Sequence, residues 1–267
     1  MNYLSLTAII KDDDYWIKEW LSYYKSIGVE RFYIYLHDDI ITENKIKELS
    51  FINDIEIIHI PAILPVWGLN AQGYAYSNSL KINKHKTEWM IFCDGDEFFM
   101  PTEPTDLKVF LQQYEEFSGL GVPWKMFGSS GYTTRPIQSH GCNALGSFFK
   151  CQKQPSNHIK SIVKPSEVIK PTSPHCFKTI KGTVLETKDF IKEEEHGVIR
   201  DMSISIDSIR VNHYITRSLE DWKIKSLKPY WDKGNKRAEK FKFFDFSDSI
   251  DQLSLKYIEN TSKFLNI

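Results

Sequence analysis

Glycine-rich phosphate loops are missing from this chain of 267 residues: no GxGxxG follows the first apolar run, and neither GxxxxGKS nor GxxxxGKT occurs. That argues against dinucleotide oxidoreductases and P-loop enzymes, whose phosphates rest on such backbone. A nucleotide bound here would need a cation for its phosphates instead. Cysteine is scarce. Cys93, Cys142, Cys151 and Cys176 make no CxxC pair, which disfavours a zinc site and demands no oxidising compartment. Charge of one sign is also lacking. With 34 basic and 35 acidic residues the net charge is −1, so no broad basic field exists for nucleic acid. No apolar run approaches membrane-spanning length. Met1 to Ile10 has neither a basic leader nor a small-residue cleavage site and runs straight into Lys11-Asp-Asp-Asp14, so it reads as a strand, not a signal peptide. These absences lead us to expect a cytoplasmic protein with at most peripheral membrane contact.

What is present is an ordinary globular composition, 41% hydrophobic and 26% charged, with a high aromatic share of 14%. Most aromatics belong in a core; some suit stacking on sugar rings. Basic clusters at 223–225, Lys228 and 233–242 read first as a solvated face, and otherwise as a surface for anionic lipid or diphosphate.

Hydrophobic period predicts strands at 4–10, 31–36, 54–60 and 88–93, with helices at 15–27, 42–50 and 70–86 between them. Asp12 to Asp14 are expected to cap the first helix, and Gly28 to stop it. Pro61 and Pro65 are expected to end the third strand. This β-α-β-α-β-α-β order implies a mostly parallel, Rossmann-like α/β sheet flanked by helices, with ligands beyond the carboxyl ends of its strands. Past Pro101 a helix is expected over 106–117, then short strands and glycine- and serine-rich loops to about 208, and helices over 218–227 and 247–264. Residues 1–100 form the expected nucleotide-binding half and 101–267 the acceptor-binding half, sharing one core.

Three motifs carry chemistry. In Trp89-Met-Ile-Phe-Cys-Asp94-Gly-Asp96-Glu97-Phe-Phe99 an apolar strand ends in aspartates at i and i+2, which on extended backbone point the same way. They can share Mg²⁺ or Mn²⁺ with substrate phosphate, Gly95 keeping the space between them open. The plain alternative is an acidic turn. In Asn212-His213-Tyr214-Ile-Thr-Arg217-Ser218 a strand delivers His213, either a third metal ligand or a core histidine. Arg217 offers a fork to diphosphate oxygens, and Ser218 caps the next helix. In Trp124-Lys-Met-Phe127-Gly128-Ser129-Ser130-Gly131 small residues would let a sugar approach the backbone, with Trp124, Gly128 and Ser129 as the sugar- or acceptor-binding candidates; the alternative is a tight turn.

Lys11-Asp-Asp-Asp through Glu19-Trp20, Gly28-Val29 and Tyr35 resembles the opening of family-2-like and family-92-like glycosyltransferases, roughly K-N-E, E-W and G-V. Trp89 to Phe99 resembles their W…D-x-D-E-F, Phe127 to Gly131 their F-G-S-S-G, and Asn212 to Ser218 their N-H-Y-F-x-K-S. The four motifs stand in the right order and cover most of the chain. The resemblance implies a GT-A fold and inverting transfer of a sugar from a nucleoside diphosphate, a UDP-sugar being favoured, to a glycan or glycolipid acceptor. It implies Mn²⁺ or Mg²⁺ held by Asp94, Asp96 and His213. It also implies that Asp38 or Asp39 lies near the nucleoside, that Lys11 and Asp13 line the donor pocket, and that Gln72 stands before the acidic strand. Asp12-Asp13 replaces the usual Asn-Glu, and Arg217 the usual lysine.

An inverting transfer needs a base for the acceptor hydroxyl. Glu97, Glu195, His196, His175 and His140 are the candidates, Glu97 foremost, with Arg217 stabilising the leaving group. The competing readings are a sugar nucleotidyltransferase, which the acidic loop at Lys11 to Asp14 disfavours, and a non-catalytic carbohydrate-binding protein. The abundance of Ile, Lys and Asn fits a microbial or viral source and hence a surface polysaccharide or lipooligosaccharide acceptor.

Overall fold

The computed structural model describes residues 1–60, 71–191, 197–200, 202–227 and 240–265. Pro61, Pro65, the start of the expected third helix at Asn70, the base candidates Glu195 and His196, and Lys228 and Lys233 of the basic cluster lie outside the described residues. The first half alternates strands and helices: β1 (Asn2–Ile10), α1 (Ile17–Ser26), β2 (Arg31–Leu36), α2 (Ile40–Lys47), β3 (Ile55–His59), α3 (Ala71–Asn83) and β4 (Thr87–Phe92). Then come β5 (Glu97–Pro101), α4 (Leu107–Leu111), β6 (Gly119–Met126), β7 (Lys150–Cys151), β8 (Ile159–Val163), β9 (Val168–Pro171), β10 (Phe177–Thr179) and β11 (Thr183–Val184). The chain continues through β12 (Ile209–His213), α5 (Leu219–Leu227), α6 (Phe241–Phe244), β13 (Ser249–Ile250) and α7 (Ile258–Ser262).

Eight strands follow the order β3-β2-β1-β4-β8-β6-β12-β5, and β11 pairs with β6. The expected parallel sheet is found from β3 to β4. Beyond β4 the sheet is mixed: β8 runs antiparallel to both β4 and β6, and β12 is parallel to β6 but antiparallel to β5. The alternation of each strand sorts its residues to two faces. Leu4, Leu6, Ala8 and Ile10 of β1 pack with Trp16, Trp20 and Leu21 of α1, while Tyr33, Tyr35, Met90 and Phe92 pack with Ala75 and Tyr76 of α3. Helices thus cover both faces, and the carboxyl ends of β1 and β4 open on one side.

Three local expectations are corrected. Asp12 to Asp14 do not cap α1; its first amides are met by the Asp13 carbonyl, leaving the Asp13 carboxylate for Arg217. The helix expected over 106–117 ends at Leu111 and continues as a 3₁₀ turn to Tyr114. The helix expected over 247–264 is broken. Ser249–Ile250 pairs with β7, Asp251 accepts from the Leu253 amide, and only a 3₁₀ turn and α7 follow. No helix among the described residues is long and apolar enough to cross a membrane.

Candidate active site

The site forms where β4 stops. Asp94, Gly95 and Asp96 turn the chain from β4 into β5, whose partner β12 carries His213 opposite Glu97. The Tyr214 amide donates to the Asp96 carbonyl at 2.9 Å, which fixes the turn against β12. Gly95 is required by space. A Cβ there would lie 2.6 Å from Asp13 Oδ2 and 3.0 Å from Ile10 Cδ1.

The two aspartates have different surroundings. Asp94 Oδ1 accepts from Gln72 Nε2 at 2.7 Å, and Oδ2 from Lys160 Nζ at 2.9 Å. Lys160, on β8, has no exposed side-chain surface and also lies 3.4 Å from Glu97 Oε2. Burial opposes the charge of Asp94, but Lys160 outweighs it and holds the carboxyl below its usual range. Asp96 Oδ2 accepts from Lys225 Nζ at 2.6 Å, and its Oδ1 lies 3.5 Å from His213 Nε2. Burial again opposes, and Lys225 and His213 more than offset it, so this carboxyl sits well below its usual range.

Glu97 stands behind the site. It is fully buried, and its Oε2 accepts the Asp94 amide at 2.8 Å. Burial, only partly relieved by Lys160, pushes its carboxyl well above the usual range. As placed here, Glu97 supports the turn and turns no side-chain surface toward the cleft. Its backbone carbonyl accepts from Trp20 Nε1 and Tyr24 Oη on α1, which accounts for the Glu19-Trp20 sequence as packing. Glu19 itself accepts from the amides of Ala144 and Leu145.

Opposite the acidic turn lies Arg217. Both ends of its guanidinium meet Asp13, one nitrogen donates to the Gly95 carbonyl at 2.7 Å, and the group stacks 5.0 Å over the Trp16 ring. Arg217 and Asp12 both adopt left-handed backbone, at φ of 49° and 52°. Such strain persists only where surrounding contacts impose it, and it gathers at functional sites. Ser218 caps α5 reciprocally with Asp221, as its place after the strand implies. Lys11, Asp13, Asp96, Arg217 and Lys225 line one cleft of about 210 Å³ beyond the ends of β1 and β4.

Other candidates fall elsewhere. Asp39 caps α2 through the Thr42 amide and accepts the Asp12 amide at 2.6 Å, so it shapes the Lys11–Asp14 loop. Asp38 points outward, with 83% of its side chain exposed. Gly128 and Ser129 turn inward. A Cβ on Gly128 would meet the Phe246 carbonyl at 2.3 Å, and the buried Ser129 gives its amide to Asp245. Both are buried against residues 245 and 246. Trp124 stacks on His158 at 5.1 Å and meets the edges of His175 and His213, so imidazoles cover it. His175 Nδ1 lies 3.1 Å from the Ile159 carbonyl, and burial drives its pKa down to about 3. His140 Nδ1 accepts the Cys142 amide within its own loop.

Sequence reasoning missed Lys160 as a site residue, and it missed Arg135, which pairs with Asp221 at the cleft wall. The only signal for Lys160 was a lysine inside the apolar run Ile159-Lys-Ser-Ile-Val163. Asp94, Asp96 and His213 do not converge on one point: among the described residues no group of three or more His, Cys, Asp and Glu could hold a metal ion as arranged. The carboxylate and imidazole of Asp96 and His213 are nonetheless donors that a Mn²⁺-like ion accepts. Their Oδ1 and Nε2 face each other, and His213 Nδ1 is a buried nitrogen with no partner.

The profile of glycosyltransferase family 92 matches residues 7–263. The chain is similar to family 92 proteins of Oryza sativa subsp. japonica (24% identical, 61% of this chain, 27% of that protein) and Arabidopsis thaliana (24%, 78% and 34%). It spans about a third or less of the length of these curated relatives. Among solved structures, HddC from Yersinia pseudotuberculosis is similar at a TM-score of 0.40 and 14% identity, over 72% of this chain and 93% of that one. A 4-diphosphocytidyl-2C-methyl-D-erythritolsynthase from Anaerococcus prevotii is similar at 0.33 and 9%, over 61% and 70%. Likenesses this distant carry no argument about chemistry. With the profile spanning nearly its whole length, the chain belongs to glycosyltransferase family 92.

Proposed function

We propose that this chain is a metal-dependent, inverting glycosyltransferase of GT-A type that moves a sugar from a nucleoside diphosphate, UDP by preference, to a glycan or glycolipid. The observation that carries the reading is the pairing of His213 with Asp96, which lines a cleft together with Arg217. It sets two metal-type donors and a fixed guanidinium at strand carboxyl ends, where α/β sheets bind ligands. Asp96 and His213 would hold Mn²⁺ or Mg²⁺, with Asp94 behind them. The ion would offset charge on the departing diphosphate.

The chain's own groups do the rest. Asp13 and the Gly95 carbonyl orient Arg217, whose guanidinium would stabilise the departing diphosphate. Lys11 lies at the mouth of the same cleft. Lys160 and Gln72 keep Asp94 ionised and fixed. Of the described base candidates, His175 turns Nδ1 to the Ile159 carbonyl, and a pKa driven down to about 3 leaves its Nε2 a weak proton acceptor, so none of them is assigned as the base. Work at the cytoplasmic membrane face on a surface polysaccharide or lipooligosaccharide suits such an enzyme.

The test is release of nucleoside diphosphate from a panel of nucleotide sugars with Mn²⁺, for the wild type and Asp96→Ala. Release with one nucleotide, lost in the variant, is the expected result. No release from any donor, with or without glycan acceptors, contradicts the reading.

A further inference from the structure

Of the positive groups in and behind the cleft, four have partners that differ in kind. Arg217 is tied to Asp13 and the Gly95 carbonyl, and Arg135 to Asp221. Lys160 is walled in between Asp94 and Glu97 with no exposed surface. Arg217 and Lys160 leave at most 11% of their side chains exposed, and Arg135 22%. Lys225 differs. Its ammonium lies 2.6 Å from Asp96 Oδ2 and 3.0 Å from the Ile215 carbonyl. Its side chain is 28% exposed, and it reaches the cleft from the last turn of α5. Its carboxylate partner is the residue that faces His213.

We propose that Lys225 is an exchangeable internal cation: it neutralises Asp96 until a divalent ion takes that carboxylate, and then turns to the diphosphate of the bound nucleotide. This rests on the metal-dependent reading above and goes beyond it by naming a diphosphate-binding residue and coupling its availability to the ion. A dication on Asp96 places like charges within a few ångströms of the ammonium, and that repulsion releases Lys225. A lysine is suited to the exchange, because its ammonium is a point charge on a flexible stem and can change partners, whereas the Arg217 fork is held in place. Lys225 therefore competes with the ion in the empty cleft and cooperates with it once nucleotide is present.

Calorimetric titration of the full chain with Mn²⁺ alone, and with UDP in saturating Mn²⁺, tests this. Wild type is compared with Lys225→Met and with Lys223→Met, an exposed lysine on the same helix. Lys225→Met is expected to bind Mn²⁺ about tenfold more tightly and UDP with Mn²⁺ about tenfold more weakly, while Lys223→Met changes neither. These opposite shifts are something a merely structural lysine would not produce. If both affinities fall together, or neither moves while wild type binds Mn²⁺ and UDP, the exchange is wrong and the transferase reading stands. If wild type takes up neither Mn²⁺ nor UDP, both fall.

Discussion

Lys160 Nζ lies 2.9 Å from Asp94 Oδ2 and 3.4 Å from Glu97 Oε2, and the lysine and the glutamate have no exposed side-chain surface at all. The acidic turn is therefore built around a buried cation supplied from β8. That cation lets a fully buried glutamate brace the Asp94 amide and keeps Asp94 ionised at the edge of the cleft. Removing one member of such a group leaves the others uncompensated, and that cost exceeds the net value of the pair itself.

Lys160→Met is accordingly expected to destabilise the fold by about 3–5 kcal/mol, a large part of the stability of a typical domain. Urea unfolding midpoints measure it. A midpoint equal to that of the wild type would show that the buried pair is not what holds the turn.

Gly95→Ala has a narrower effect. The added methyl would sit 2.6 Å from Asp13 Oδ2, so Asp13 must move and Arg217 loses its clamp. We expect about 1–3 kcal/mol of lost stability from overpacking. The loss of nucleotide-sugar turnover should be larger in proportion, at least about tenfold, because it follows from the lost orientation of Arg217. Turnover that falls only as far as the folded fraction falls would count against this role for Gly95.

Arg217→Lys keeps the charge but gives up the fork. Both terminal nitrogens of one guanidinium meet Asp13, and one of them also meets the Gly95 carbonyl, an arrangement an ammonium cannot reproduce. The variant should resemble Arg217→Met in steady-state kcat/KM, both about 100-fold below wild type, on the scale of losing one fixed donor to developing charge. Recovery by lysine would mean that charge alone suffices.

Glu19 predicts a pH effect away from the cleft. Burial raises its pKa to about 7, against the two amides of Ala144 and Leu145 that it accepts. A carboxyl whose pKa is higher folded than unfolded favours the native state when protonated. Its contribution is complete below the unfolded value near 4.5 and is lost as pH rises through about 7. The amount is on the order of 3 kcal/mol. Unfolding free energies at pH 4.5 and pH 8 should thus differ more for wild type than for Glu19→Gln, and equal pH dependence in the two would remove Glu19 as the cause.

The first half of the fold was legible because each signal agreed with its neighbours. The alternating apolar residues of β1, β2 and β4 match their two packed faces, and Gly28, at φ 103°, ends α1 where the pattern stops. Asp94 and Asp96 were legible as a turn at a strand's carboxyl end because they follow a buried strand. Their separate partners were not. Lys160 lies 66 residues beyond Asp94 and Lys225 129 beyond Asp96, and no local period reports such contacts. The neighbour of Gly128 was hidden for a similar reason. A small residue marks a close approach without naming what approaches, and here the Phe246 backbone does.

The central claim, that Asp96 holds an ion which in turn holds a nucleotide, is tested most directly by thermal stability. The midpoint is measured with nucleoside diphosphates and their sugars, with and without Mn²⁺, for wild type and Asp96→Ala. A ligand that binds only the native state raises the midpoint with its concentration over Kd. The account predicts a Mn²⁺-dependent rise with one nucleotide, UDP first, that is lost in Asp96→Ala. No rise with any nucleotide, or a rise of equal size without Mn²⁺ and in the variant, would contradict it.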